Sequence, residues 1–103
     1  MLTSHAFVAT AHAQKYLVQL SKHWAHKFDT LTYTEERVEI PFPAGPCTLS
    51  ATTSGLNITL RSDSSEALAR MQLAVADHLK RFAHREDLVV TWSEEEVQAP
   101  TAA

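Results

Sequence analysis

Two stretches, Cys47-Thr48-Leu49-Ser50-Ala51-Thr52 and Leu56-Asn57-Ile58-Thr59-Leu60-Arg61, are separated by a turn at Ser54-Gly55 and decide the fold. In each, the apolar or small residues fall on one parity and the hydroxyl, amide or charged residues on the other. Successive side chains of a strand point to opposite faces, so both stretches read as strands with one covered and one solvated face. Upstream, Val38, Ile40 and Phe42 alternate in the same way with Arg37, Glu39 and Pro41. Pro41 and Pro43 cannot donate to a ladder, so this strand ends there or lies at an edge. Ala44-Gly45-Pro46 supplies a turn. Thr30-Leu31-Thr32-Tyr33-Thr34 is β-branched and aromatic, hence a further strand, and Glu35-Glu36 is a turn in front of Arg37. The four strands make a meander. Its polar face carries Arg37, Glu39, Thr48, Ser50, Thr52, Asn57, Thr59 and Arg61, which are either solvated or docked on a partner.

Working outward, the meander is flanked by two helical patterns. Ala13, Leu17, Leu20, Trp24 and Phe28 recur at spacings of three and four, which makes residues ~11–28 an amphipathic helix with Thr10 as its N-cap. Leu68, Met71, Val75, Leu79 and Phe82 do the same over residues ~64–84, where Asp63-Ser64-Ser65-Glu66 resembles a capping box. His5 to Thr10 reads as a strand, apolar on both parities and so expected to be well covered. Leu88-Val89-Val90-Thr91-Trp92 reads as the last strand. The order is therefore β-α-β-β-β-β-α-β. Two helices, each with one apolar stripe, cover one face of a single antiparallel sheet, an α+β two-layer sandwich. Residues 1–93 are expected to form one domain. Residues 94–103, three glutamates followed by small residues and a proline, are expected to be a disordered tail.

At 103 residues the chain suits one domain with a modest core. A net charge of −3 and a pI near 6.0 argue against non-specific binding to nucleic acid. No apolar run approaches the ~20 residues of a membrane span, and the first residues lack the features of a signal peptide. The single Cys47 cannot form an internal disulfide, which fits a reducing compartment. A cytoplasmic location is expected. With two glycines there is no Gly-rich phosphate loop. Asp63, Ser64 and Ser65 read as a cap, Glu35-Glu36 as a turn, Trp24, Phe82 and Trp92 as core, and Arg81, Arg85 and Glu86 as helix-end charges that pair locally. No catalytic constellation is visible, and the reading leans away from an enzyme.

Chemistry could sit in two histidine-bearing phrases, Lys22-His23-Trp24-Ala25-His26-Lys27-Phe28 and His78-Leu79-Lys80-Arg81-Phe82-Ala83-His84-Arg85-Glu86. On a helical wheel His12, Tyr16, Gln19, His23 and His26 line one flank of the first helix. His23 and His26 are one turn apart and can share a ligand, whereas His12 lies ~16 Å up the helix and cannot join them. His78 is on the flank of the second helix and can approach either one if the helices pack side by side. Neutral imidazoles suit Zn²⁺ or another borderline metal, but the spacing is no known metal signature. Lys22 and Lys27 favour an anion over a cation. Protonation near pH 6 would strengthen anion binding, since an unperturbed imidazole titrates near ~6.5. The candidate ligand or partner site is therefore His23, His26, His78, Lys22 and Lys27. No metal is assigned to it.

Together these phrases carry a resemblance. Tyr16-Leu17-x-x-Leu20 leading into Lys22-His23-Trp24-x-His26-Lys27 is one part of it, and Leu56-x-Ile58-x-Leu60 and Ala67-Leu68-Ala69-Arg70 are others. With His78-Leu79-x-Arg81-Phe82-Ala83-x-Arg85-Glu86-x-Leu88 and the final Thr91-Trp92, they resemble a bacterial domain of unknown function, DUF2218, over roughly residues 3–93. The resemblance implies a two-layer arrangement similar to that of the TATA-binding protein. It implies no activity, so no catalytic residue or cofactor is carried over. Similar domains occur joined to siderophore-interacting flavoproteins. That implies a flavin-dependent siderophore reductase, or another protein, as partner. The chain itself is expected to be a monomer or weak homodimer, since the polar sheet face carries Thr and Ser at regular intervals but no exposed apolar stripe demands association. Three function classes stay open: a non-catalytic binding or adaptor module linked to iron and siderophore handling, a metal- or haem-binding protein using the flank histidines, and a small enzyme.

Overall fold

The structure, a computed structural model, describes residues 2–27, 31–34 and 36–96. The elements are β1 (Leu2–Ala9), α1 (Ala13–Ala25), β2 (Thr32–Tyr33), β3 (Arg37–Phe42), β4 (Gly45–Ala51), β5 (Gly55–Ser62), α2 (Ser65–Phe82) and β6 (Trp92–Glu96). Their chain order is the one expected. The strands form one six-stranded sheet in the order β2-β3-β4-β5-β1-β6, and every pairing is antiparallel. Both helices lie on the same face, α1 over β3 to β5 and α2 over β5 and β1.

The alternation sets which face is covered. Val38 and Ile40, Cys47 and Leu49, Leu56, Ile58 and Leu60, and Ala6 and Val8 point under the helices and are buried. They meet Ala13, Leu17, Leu20 and Trp24 from α1 and Leu68, Met71, Val75 and Leu79 from α2. Where β1 presents small Ser4 to α2, the Gln72 amide donates to the Ser4 hydroxyl at 2.7 Å. Burial of that hydroxyl is thereby matched by a hydrogen bond.

The structure corrects several expectations. β1 is not covered on both faces along its whole length: Phe7, on the outer parity with His5, is 49% exposed, although Thr3 on the same parity is buried. Thr10 does not cap α1. The N-cap is His12, without a side-chain bond, while the Thr10 hydroxyl accepts from the His12 backbone N–H at 3.1 Å. In α2 the cap is Ser64, whose hydroxyl accepts from the Ala67 N–H, so Glu66 falls one position too early to close a capping box. Phe82 and Trp92 are half-buried at the border of the core. The last strand begins at Trp92, opposite Ala6, and runs to Glu96, opposite Leu2. Residues 88–91 belong to no strand, with Leu88 tucked into the core and Val89 exposed. Residues 94–96 thus belong to the sheet rather than to a tail. Phe28 and residues 97–103 lie outside the described residues.

The β3–β4 hairpin turns through Pro43-Ala44, with Phe42 opposite Gly45. Gly45 has φ +149°, and a Cβ there would lie 1.8 Å from the Arg61 carbonyl oxygen of β5. Only glycine permits this close approach. No helix among the described residues is long and apolar enough to cross a membrane.

Candidate functional site

The helices run antiparallel: Tyr16 near the start of α1 meets Glu86 beyond α2, while His23 near its end meets His78 and Phe82. The contact between His23 and His78 follows from their flank positions, beside rather than on the buried stripes. The His23 and His78 rings are 4.7 Å apart, centre to centre. Buried Trp24 packs against both and against Phe42, with ring centres at 5.8, 5.3 and 5.3 Å respectively. The sequence expectation that His78 reaches the first helix is met through His23. His26 is exposed at the rim of an open hollow of about 340 Å³, lined also by Gln19, Lys22, His23 and Phe82. Lys27 is exposed at the end of α1.

The two imidazoles differ in chemistry. His78 Nδ1 lies 2.6 Å from the Ala74 carbonyl oxygen. A carbonyl can only accept, so Nδ1 carries the proton and Nε2 keeps its lone pair. His23 Nε2 is buried with no hydrogen-bond partner among the described residues, and so is Gln19 Oε1 one turn earlier. Burial holds the His23 pKa below the ordinary 6.5, and the neighbouring His78, Lys27, His26 and Arg81 add to the depression. His23 is therefore neutral at pH 7. Protonating it would place a cation in a desolvated, already basic site, so it charges at a lower pH than a free imidazole. Among the described residues, no three His, Cys, Asp or Glu side chains gather to hold a metal ion.

Around this hollow the charges are segregated. Residues 12–27 and 78–85 carry Lys15, Lys22, Lys27, Lys80, Arg81 and Arg85, six of the nine Lys and Arg of a chain with net charge −3, and no Asp or Glu. The same segments hold five of the six histidines. All six cations are exposed. Nearby carboxylates do little to offset them. Asp77 pairs with Arg81 at 3.1 Å. Glu86 is turned inward, accepting from the Thr10 hydroxyl at 2.9 Å and from the Tyr16 hydroxyl. Sequence reasoning assigned Glu86 to a local ion pair with the helix-end arginines and so missed this contact. The nearby hydroxyls, 70 and more positions away, left no signal in the local pattern.

The outer sheet face is the second polar surface. His5, Arg37, Glu39, Thr48, Ser50, Thr59 and Arg61 line a shallow hollow of about 470 Å³. Arg37 and Glu39 pair at 3.0 Å, and His5 Nδ1 sits 3.1 Å from the Thr59 hydroxyl.

The sequence model of a family described as an uncharacterized protein conserved in bacteria (DUF2218) matches residues 5–93. The chain belongs to the DUF2218 family. Among solved structures it is similar to the NMR structure of PA4090 from Pseudomonas aeruginosa, at 40% identity and a TM-score of 0.77. That match covers 90% of this chain and 96% of the other. A comparison with curated proteins returns no match. For this DUF2218 chain the roles of individual residues therefore rest on geometry. The matched segment spans both histidine phrases and all of the basic helical surface.

Proposed function

We propose that this DUF2218 protein is a non-catalytic binding or adaptor module that docks an acidic protein surface on its helical layer. The observation that carries the reading is that residues 12–27 and 78–85 hold six exposed Lys and Arg and no Asp or Glu, in a chain of net charge −3, with Arg81 alone among the six in an ion pair with a described residue. Such segregation steers an oppositely charged partner and sets its orientation. The resemblance to domains joined to siderophore-interacting flavoproteins supports a flavin-dependent siderophore reductase as the partner class, and so a role in iron and siderophore handling. A cytoplasmic setting fits Cys47, a buried free thiol whose pKa burial pushes up to about 12. A monomer or weak homodimer fits the sheet edges: β2 has two residues and β6 carries three consecutive glutamates, both of which blunt edge pairing.

The test is titration of the protein with such a flavoprotein, and with polyglutamate as a charge control, at low and high salt. Binding that weakens with salt and is lost in the Lys22→Glu, Arg85→Glu double mutant supports the reading. Binding that charge reversal leaves unchanged, or no binding to either probe, overturns it.

A second reading, a metal or haem site at His23 and His78, is favoured by the free Nε2 of each ring and by the His78 Nδ1–H bond to a carbonyl. That bond is the outer-shell contact that orients metal-ligating histidines. The surrounding cations weigh against it. Zn²⁺ titration followed through the histidine ring resonances decides it: unmoved His23 and His78 signals exclude the site.

A further inference from the structure

α2 has 18 residues and α1 has 13. The difference of five residues, at ~1.5 Å per residue, is about 7.5 Å or about one and a half turns. Because they are antiparallel, with His23 level with His78, it is the first turns of α2 that have no helix beside them. The flank left uncovered there carries Ala67, Met71 and Ala74, and it faces the turn of the β3–β4 hairpin, Phe42, Pro43 and Ala44. The space between is a cleft of about 320 Å³. Alanine at both helix positions keeps it open, and T-shaped packing of Phe42 on Trp24 braces its wall. One charged side chain reaches it: Arg70, exposed at the mouth. Arg70 sits one turn from Glu66 but makes no ion pair or hydrogen bond with any described residue, whereas Arg37 and Arg81 are paired.

We infer that this cleft binds a small amphipathic carboxylate, its apolar body between Ala67, Ala74 and Phe42 and its carboxylate on the Arg70 guanidinium. The volume is that of a small-molecule site, and an apolar slot with one orienting charge is its usual composition. A guanidinium suits a carboxylate because its parallel N–H groups match both oxygens. The cleft shares neither the hollow at His23 nor its cations, so the inference stands apart from the docking surface.

The test is titration of isotope-labelled protein with octanoate, 1-octanol and octylamine, reading backbone amide shifts. Octanoate is expected to move Ala44, Ala67 and Ala74 saturably, with an affinity at least about tenfold above that of 1-octanol. Arg70→Gln removes this preference while retaining weak binding of 1-octanol, and Ala74→Leu, which fills the cleft, weakens both. Equal affinity for octanoate and octanol, tighter binding of octylamine, or no saturable shift of these residues in the folded wild-type protein overturns the inference.

Discussion

The hydroxyl of Tyr16, at the start of α1, donates to the carboxylate of Glu86, beyond the end of α2. Thr10, just after β1, donates to the same carboxylate. Three chain segments are thus tied at one end of the helical layer, opposite the end where the cleft opens. Tyr16 is 4% exposed, so its hydroxyl has little water to turn to when Glu86 is removed.

Tyr16→Phe and Glu86→Gln are each expected to lower the melting temperature at pH 7, and the double mutant should lose less than the sum of the singles, since both remove one contact. The hydrogen bond from Tyr16, with that from Thr10, holds the Glu86 pKa below the ordinary 4.5 against the opposing effect of burial. A depressed carboxylate pKa stabilises the fold above the unfolded value, and this is lost as pH falls through the folded value. The gap between wild type and Glu86→Gln should therefore close below pH 4.5. A gap that persists in acid would disprove the coupling.

At high pH the same contact acts with the opposite sign. Burial, and then Glu86, pushes Tyr16 from 10.0 up to about 12. The folded state favours the protonated phenol, so this stabilisation is complete below pH 10 and fades as pH rises toward about 12. In an ultraviolet titration one of the chain's two tyrosines should ionise late. Tyr16→Phe should remove that late step.

His23 gives a separate acid dependence. Its depressed pKa means that the folded state prefers the neutral ring. The resulting stabilisation is present above 6.5 and is lost as pH falls through the folded pKa. Melting temperature should drop on acidification below pH 6.5, and His23→Gln should flatten that part of the curve. A ring resonance of His23 that titrates at or above 6.5 would contradict the burial of its Nε2.

Trp24→Ala is expected to destabilise by ~3–5 kcal/mol, as for other fully buried aromatic truncations. The ring is 3% exposed and packs against Phe42, His23 and His78. Phe82→Ala should cost less, because that ring is half-buried. Chemical denaturation of both variants checks the order.

Truncation after Ser93 should lower stability. Glu94, Glu95 and Glu96 are paired with Ser4, Thr3 and Leu2, so their loss strips part of one side of β1 of its ladder. A melting curve unchanged by the truncation would show that this pairing contributes nothing. Gly45→Ala should be far more damaging than an ordinary surface change, since the added carbon meets the Arg61 backbone at 1.8 Å.

The alternation in β3, β4 and β5 and the stripes of α1 and α2 made the layer order legible from the sequence. Side-chain period is a local property, and one face of each element must leave water. The histidine flank was legible for the same reason: a wheel places His23 and His78 beside their stripes. What the local pattern left open was everything set by partners distant in sequence. Whether Phe7 is covered depends on what lies over the outer face of β1 at that point, and there it is exposed while Thr3 on the same face is buried. The start of β6 at Trp92 depends on which part of β1 remains free to pair. Glu86 turned to Tyr16 rather than to Arg81 or Arg85 because antiparallel packing brought two hydroxyls to it. The cleft at Arg70 arises from the stagger of two helices of unequal length laid side by side, a relation that exists only once they pack.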